Sequence, residues 1–272
     1  MSEAAIEAVL RRDRAIVIAA LAALTALAWA YLWWLADDME MGGMDMSGFR
    51  MIPSGMGLMA PAMAPWKTIE FAFVFAMWAV MMIGMMIPSA APMIMIYARV
   101  GRQAAQQGKP LAASVYFAAG YLVAWIGFAV LATSAQWALD RGGLLTPTMA
   151  GANGVFGGAV LIAAGLYQWT PLKDACLRQC QAPLWFIQRY GGFRADARGA
   201  FALGLRHGGY CIGCCWALMA LLFVAGVMNV VWIAALAILV LAEKVIPAGR
   251  VLSRIAGAAL VAAGVWLLVQ AA

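Results

Sequence analysis

The residues of this chain with the clearest potential for chemistry are four soft-metal ligands within nine positions. His207 is the single histidine among 272 residues, and Cys211, Cys214 and Cys215 follow it. Thiolate and imidazole groups bind zinc and copper, and soft sulfur favours Cu(I) in particular. On an α-helix these four side chains share one face. The spacing therefore predicts a metal site, with copper as the expected ion and zinc as the alternative.

Two further cysteines precede this cluster. One helical face cannot readily supply a complete tetrahedral shell, so ligands from elsewhere are needed. Cys176 and Cys180 are four residues apart and would share a face if their segment is helical. We expect them to complete the ligand set. The alternative is that the cysteines are small apolar residues that let membrane helices pack closely, helped by the glycines between them.

A methionine ladder supplies a second set of candidate ligands. Met77, Met81 and Met85 fall on one helical face, and Met93 follows two prolines. Thioethers are neutral, so they can lie in hydrocarbon and still coordinate Cu(I). The rival interpretation is that methionine fills irregular helix interfaces.

A third set lies in a Met-rich segment, residues 36–67. Its residues Met41, Met44 and Met46 resemble the Met-x-Met and Met-x-x-Met arrangements of copper-handling proteins. The segment has no helical or strand period, so we expect it to be flexible unless something organises it. Copper capture is one interpretation. The other is an oxidation-prone loop that packs against a partner or the membrane surface.

The elements that must position these ligands are membrane helices. The composition is 66% hydrophobic and 11% charged, which is typical of an integral membrane protein. We predict an all-α, polytopic transmembrane helix bundle that forms a single membrane domain over residues 1–272. Seven spans are predicted: Ala15–Leu35, Thr68–Pro88, Leu111–Ala135, Met149–Thr170, Gly209–Val227, Val230–Ile246 and Val251–Gln270.

The charge distribution predicts the orientation of these spans. Of the 18 Lys and Arg residues, 15 fall on one set of alternate segments and 3 on the other. The positive-inside rule then places the amino terminus inside and the carboxyl terminus outside. Residues 36–67 become an outer loop, and residues 171–206 become a cytoplasmic, Cys-containing basic loop. Five cysteines at the reducing face argue against a disulfide framework. Since the basic residues determine topology, no nucleic-acid partner is expected.

Local signals refine the helix ends. Pro88 and Pro92 predict a kink or break in the second span. Gly226–Asn229 predicts a tight turn between two helices. The cysteines are expected at a helix amino terminus, where the helix dipole and nearby arginines favour thiolate. Glu243 is expected at a solvated helix end, and the alternative is a functional acid at membrane depth.

Four segments carry a family resemblance. They are Trp78–Met93, Cys211–Met219, Gly226–Asn229 and Glu243-Lys244. Together they resemble a bacterial family of unknown function catalogued as predicted metal-binding integral membrane proteins, over roughly Thr68 to Pro247. The resemblance implies a multi-pass protein of the bacterial inner membrane. It also implies that the Met/Pro segment and the Cys segment belong to one functional unit.

The leading functional hypothesis is Cu(I) handling in transport, delivery or metallocentre assembly. Outer methionines would capture the ion, the second span would relay it, and the cysteine cluster would hold it. The expected partners are the lipid bilayer and a membrane or metallochaperone protein. No catalytic constellation, P-loop or dinucleotide motif is found, which favours a protein that is not an enzyme. The alternatives are a structural or assembly subunit of a membrane complex and, third, a membrane thiol oxidoreductase.

Overall fold

The computed structural model describes residues 3–40, 49–62, 64–108 and 111–271. The helices and strands of this part are all α-helices apart from one two-stranded hairpin, so the all-α prediction is confirmed. The elements are α1 (Glu3–Glu40), β1 (Phe49–Met51), β2 (Met59–Pro61), α2 (Thr68–Gln106), α3 (Ser114–Arg141), α4 (Gly154–Tyr167), α5 (Pro171–Gln181), α6 (Pro183–Arg189), α7 (Ala197–Ala220), α8 (Leu222–Ala225), α9 (Val230–Val245) and α10 (Gly249–Ala271).

Several of these helices are long and apolar enough to cross a membrane. In the described residues five meet this criterion: Ala15–Met39, Thr68–Gln106, Ser114–Arg141, Ala197–Ala225 and Gly249–Ala271. A sixth is added if α4 and α5, which are bent by 64° relative to each other, count as one broken span. Helix α9 has 16 residues. The number of seven spans and the orientation stay predictions.

The helices pack through small residues. On α7, a Cβ built on Gly204 would lie 1.9 Å from the carbonyl oxygen of Phe117 on α3. A Cβ on Gly120 of α3 would lie 2.0 Å from the carbonyl oxygen of Phe201. The two backbones are therefore in direct contact, as small residues allow in membrane helix pairs. This contact fixes α3 beside the cysteine-bearing face of α7.

Helix α2 continues past its prolines, so of the predicted kink or break, the break is wrong. It runs unbroken from Thr68 to Gln106 with Pro88 and Pro92 inside it. Because proline has no N–H, the carbonyl of Gly84 loses its helical donor. The indole Nε1 of Trp29 on α1 donates to that carbonyl at 3.2 Å. A neighbouring helix thus compensates the proline and keeps the helix continuous.

The turn between α8 and α9 is confirmed. Gly226 has a φ of 101°, a left-handed conformation that favours glycine. Asn229 then caps α9, where its side-chain oxygen accepts from the backbone N–H of Trp232 at 3.0 Å. Helix α9 therefore folds back along α7 and α8.

Residues 49–61 of the Met-rich segment, which was expected to be flexible unless something organises it, form a β-hairpin. Strands β1 and β2 pair antiparallel. Arg50 is buried and donates from Nη2 to Glu70 Oε2 at 3.0 Å, and its Nη1 donates to the carbonyls of Pro61, Ala62 and Ala64. A buried ion pair thus ties the hairpin to the start of α2. The predicted ligands Met41, Met44 and Met46 lie outside the described residues.

Candidate metal centre

Helix α7 places the cysteine cluster in its interior. The helix is capped by Asp196, whose carboxylate accepts from the backbone N–H of Gly199 at 2.6 Å. Cys211 lies 14 residues from each end of the apolar segment Ala197–Ala225, which is about 21 Å along the helix. The predicted position at a helix amino terminus is wrong. Because dipole effects fade within the first turn, they do not act on these thiols.

The four ligands predicted from spacing do share one buried face. His207 is 3% exposed, and Cys211, Cys214 and Cys215 are each at most 1% exposed. The thiols of Cys214 and Cys215 donate to the backbone carbonyl of Cys211 at 3.1 and 3.0 Å. These two thiols are therefore occupied by their own helix, and a change of side-chain rotamer is needed to free them.

The Cys211 thiol makes the most polar contacts of the cluster. Lys244 Nζ, at the end of α9, donates to Cys211 Sγ at 2.8 Å, and the Tyr121 hydroxyl lies 3.1 Å from the same sulfur. Lys244 also donates to Ser89 Oγ at 3.0 Å, and Tyr121 donates to the carbonyl of Met86 at 3.1 Å. Sequence reasoning missed Lys244 and Tyr121. Through them the Met/Pro segment of α2 meets the cysteine segment of α7.

Helix α5 brings the second pair of cysteines to the same place. It begins after Thr170, whose hydroxyl caps it, and it carries Cys176 and Cys180 one turn apart, as the spacing predicts for a helix. Cys180 is half-buried and packs against the core cluster that contains Cys211 and Cys214. Cys176 Sγ lies 2.7 Å from where a Cβ on Gly213 would stand. The predicted loop of residues 171–206 is thus largely helical, and its cysteines pack directly on α7.

His207 is enclosed by aromatic rings. The ring centroids of Phe117, Tyr121 and Phe186 lie 5.8, 5.7 and 5.1 Å from that of the imidazole. Among the described residues nothing forms a hydrogen bond with its buried Nδ1. Buried polar atoms are nearly always paired, so this nitrogen has an unused capacity to bind a ligand.

The methionine ladder lies in the same core. Met77, Met81, Met85 and Met93 are each at most 3% exposed and belong to one continuous cluster with the cysteines. Their helix packs on α1, α3 and α9. Burial of this kind fits both interpretations of the ladder, as a relay for Cu(I) and as an adaptable packing surface.

A buried ion pair holds α5 in position. Lys173 Nζ of α5 donates to the two carboxylate oxygens of Glu243 on α9 at 3.0 and 2.8 Å, and the two residues are 0% and 1% exposed. Gln181 adds a bond to the Glu243 carbonyl at 2.7 Å. The expectation of a solvated helix end at Glu243 is therefore wrong. The pair joins residues 70 positions apart, and no local pattern pointed to it.

The thiols do not surround a common point in this structure. Among the described residues, no group of three or more His, Cys, Asp or Glu side chains is arranged as metal ligands. The physical reason is visible in the contacts, since Cys211 faces Lys244 while Cys214 and Cys215 face a backbone carbonyl. Metal binding requires those of the sulfurs that act as ligands to turn towards one another.

Apolar helices that hold five free cysteines, four buried and one half-buried, with a buried histidine and a buried methionine face define a candidate soft-metal protein. The sequence model of the PpoB2 family, described as copper chaperones, matches residues 75–267, and the chain belongs to this family. The matched range contains every cysteine, His207 and the methionine ladder, which supports copper handling. No curated protein and no solved structure matches the chain.

Proposed function

We propose that this chain is a Cu(I) chaperone embedded in the bacterial inner membrane as a single domain. It holds the ion at the cysteines of α5 and α7 and passes it to a protein partner. The observation that carries the proposal is that two packed helices hold five free thiols, four buried and that of Cys180 half-buried, within a chain of a copper-chaperone family. Thiolates are the ligands that Cu(I) prefers.

The ligands are drawn from Cys211, Cys214, Cys215 and Cys180, with Cys176 and His207 at the edge of the set. Each thiol that turns from a carbonyl to copper gives up a hydrogen bond worth about 1 kcal/mol net. That cost is small against the apparent metal-binding free energies of about 10 kcal/mol or more of structural zinc sites built from cysteine and histidine. Zinc is the competing ion, because it also takes cysteine and histidine.

In the proposed route, the ion passes from one methionine thioether to the next until it reaches the cysteines. Met41, Met44 and Met46 capture it outside, and Met77, Met81 and Met85 relay it along α2, with Met93 beyond. The contacts of Tyr121 with Met86 and Cys211 support a transfer point between α2 and α7. The bilayer and an acceptor protein are the partners, and the topology is N-in and C-out.

Copper loading of purified protein tests the proposal. The detergent-solubilised chain is reduced, loaded with Cu(I) against a competing chelator, and compared with the triple variant C211S/C214S/C215S. We expect the wild type to retain copper and the triple variant to lose it. The control is Met56→Leu, at a side chain that is 63% exposed. Equal copper retention by wild type and triple variant contradicts the proposal. If neither retains copper or zinc, the thiols serve helix packing, as in a structural subunit.

The relay has its own test in proteoliposomes. Leucine is close to methionine in volume, so M77L/M81L/M85L should fold with a loss of no more than about 1.5 kcal/mol per site. We expect it to bind as much copper as the wild type in detergent but to load more slowly when Cu(I) is supplied from the outer side alone. An unchanged loading rate assigns the ladder to packing.

A further inference from the structure

We propose that Lys244 is the counter-cation of the copper site and makes the chain bind Cu(I) through two thiolates. The inference rests on the proposed function, since it concerns the ligand set of the same site. The ammonium group contacts Cys211 directly and lies at the place where the apolar cores of α2, α7 and α9 meet.

The position of Lys244 follows from the helical hairpin. Helix α9 starts directly after the Gly226–Asn229 turn, and Lys244 is 14 residues beyond Val230, while Cys211 is 14 residues before Ala225. The two helical segments run antiparallel from the turn. Equal numbers of residues from the turn therefore place Lys244 and Cys211 at the same height along the helix axes. Lys244 is 7% exposed at that level.

A buried lysine usually forms an ion pair with a carboxylate, but no described carboxylate pairs with Lys244. The adjacent carboxylate, Glu243, is bonded to Lys173 instead. Among the described residues, Lys244 Nζ donates to Cys211 Sγ and to Ser89 Oγ, and no carboxylate bonds to it. The charge of the ammonium is therefore balanced at the cysteine cluster and nowhere else in the described contacts.

Charge balance then selects the ligands. A net charge in an apolar interior is costly unless it is paired. With Lys244 in place, Cu(I) bound by one thiolate and a neutral ligand leaves one surplus positive charge. Cu(I) bound by Cys211 and a second thiolate leaves none. For each thiol that becomes a ligand, one S–H bond is replaced by one S–Cu bond, and the proton is released to solution.

The balance between the charges of Lys244, the thiolates and the ion also favours Cu(I) over Zn²⁺. Zn²⁺ held by the same two thiolates beside Lys244 carries one surplus positive charge, so the pair of sulfurs favours the monovalent ion. Ser89 keeps the ammonium in place while Cys211 turns to copper, because its hydroxyl accepts from Lys244 at 3.0 Å and donates to the carbonyl of Met86 at 2.9 Å. Lys244 is thus a specificity-determining residue that need not touch the ion.

The test is removal of the charge with little change in shape. Lys244→Met is compared with Lys244→Arg, which keeps the charge, and with Lys67→Met, at an exposed lysine. We expect Lys244→Met to bind Cu(I) at least about tenfold more weakly, since one surplus charge near the site is worth more than 1.4 kcal/mol even at an effective dielectric constant of about 20. Lys244→Arg should stay within about threefold of wild type, and Lys67→Met should not change. Equal or tighter binding by Lys244→Met overturns the inference.

A second measurement uses the wild type alone, in case Lys244→Met does not fold. The thiolate-to-copper charge-transfer absorption per bound ion, calibrated on single Cys→Ser variants, reports how many thiolates bind. We expect two, and a value of one or three overturns the inference. If copper binding does not depend on the cysteines at all, the proposed function fails. If it depends on them but not on Lys244, the counter-cation role alone fails.

Discussion

Substitution of Gly204 by alanine should separate α7 from α3 and disturb the cysteine cluster. The added Cβ would lie 1.9 Å from the carbonyl oxygen of Phe117, whereas ordinary contacts begin at 3.4 Å. The backbones must therefore move apart by about 1.5 Å, the difference between these two distances. Tyr121 is one turn from Phe117 on α3, so its 3.1 Å contact with Cys211 Sγ should be lost.

The expected loss of stability is about 2–3 kcal/mol. Overpacking a close-packed interface costs about 1–3 kcal/mol, and a backbone obstacle cannot turn aside as a side chain can. Loss of the tyrosine contact adds about 1 kcal/mol. Alanine recovers up to about 1 kcal/mol through its better helix propensity. Gly209→Ala on the same helix is the matched control, because nothing lies within 4 Å of its added Cβ.

Thermal unfolding in detergent, together with copper loading, measures both effects. We expect Gly204→Ala to unfold at a lower temperature than wild type and to bind Cu(I) more weakly. Gly209→Ala should equal or slightly exceed the wild type in stability. If the two glycine variants are equally stable, the direct backbone contact between α3 and α7 is refuted, and with it the account of how α3 is positioned.

Two further substitutions test buried polar contacts. Glu243→Gln leaves Lys173 buried without its anionic partner and should cost about 3–5 kcal/mol in unfolding free energy. Asp174→Asn, in an ion pair that is 3.9 Å long and whose arginine is 65% exposed, should change the unfolding free energy by no more than about 0.5 kcal/mol. Similar values for the two variants would contradict the buried pair. Trp29→Phe removes the indole N–H that donates to the Gly84 carbonyl of α2, and it should lower the unfolding free energy by about 1–3 kcal/mol. Trp33→Phe, at a side chain that is 68% exposed, should leave the unfolding free energy unchanged.

The apolar helices could be predicted because their signal is local. Hydropathy over about 20 residues located the helices, and Gly226 with Asn229 located the turn before α9. The shared face of His207 and the three cysteines also follows from helical spacing alone. These features depend on neighbours in sequence, and the structure retains them.

The start of α7 could not be read from hydropathy. Arg198 and Arg206 lower the apolar average before Cys211, so the helix was predicted to begin at Gly209, yet it begins at Ala197. Arg206 is exposed, and its guanidinium lies over the ring of Tyr190, at 5.3 Å from the ring centroid. Its charge therefore lies outside the buried face of α7. The face itself was detectable, since its buried positions recur at helical spacing: Ala200, Leu203, Gly204, His207, Gly208 and Cys211.

The partners of the site could not be predicted because they are distant in sequence. Lys244 is 33 residues from Cys211, and Tyr121 is 90 residues from it. A lysine near a helix end usually extends to the membrane surface, so Lys244 did not draw attention as a neighbour of a thiol. Tyr121 lies well inside its predicted span, and no local pattern indicates its partner. Which polar group meets which sulfur depends on how the helices cross, and that depends on the glycine contacts between α3 and α7.

The position of Cys211 couples the proposed copper site to the fold as a whole. Tyr121 of α3 and Lys244 of α9 contact its sulfur, Ser89 of α2 contacts Lys244, and α5 packs on the same helix α7. A ligand that binds the folded state stabilises it by mass action, by about 2.7 kcal/mol at a hundredfold excess over Kd. Copper bound at this junction should therefore raise the unfolding temperature of the entire bundle, and this effect should vanish in C211S/C214S/C215S.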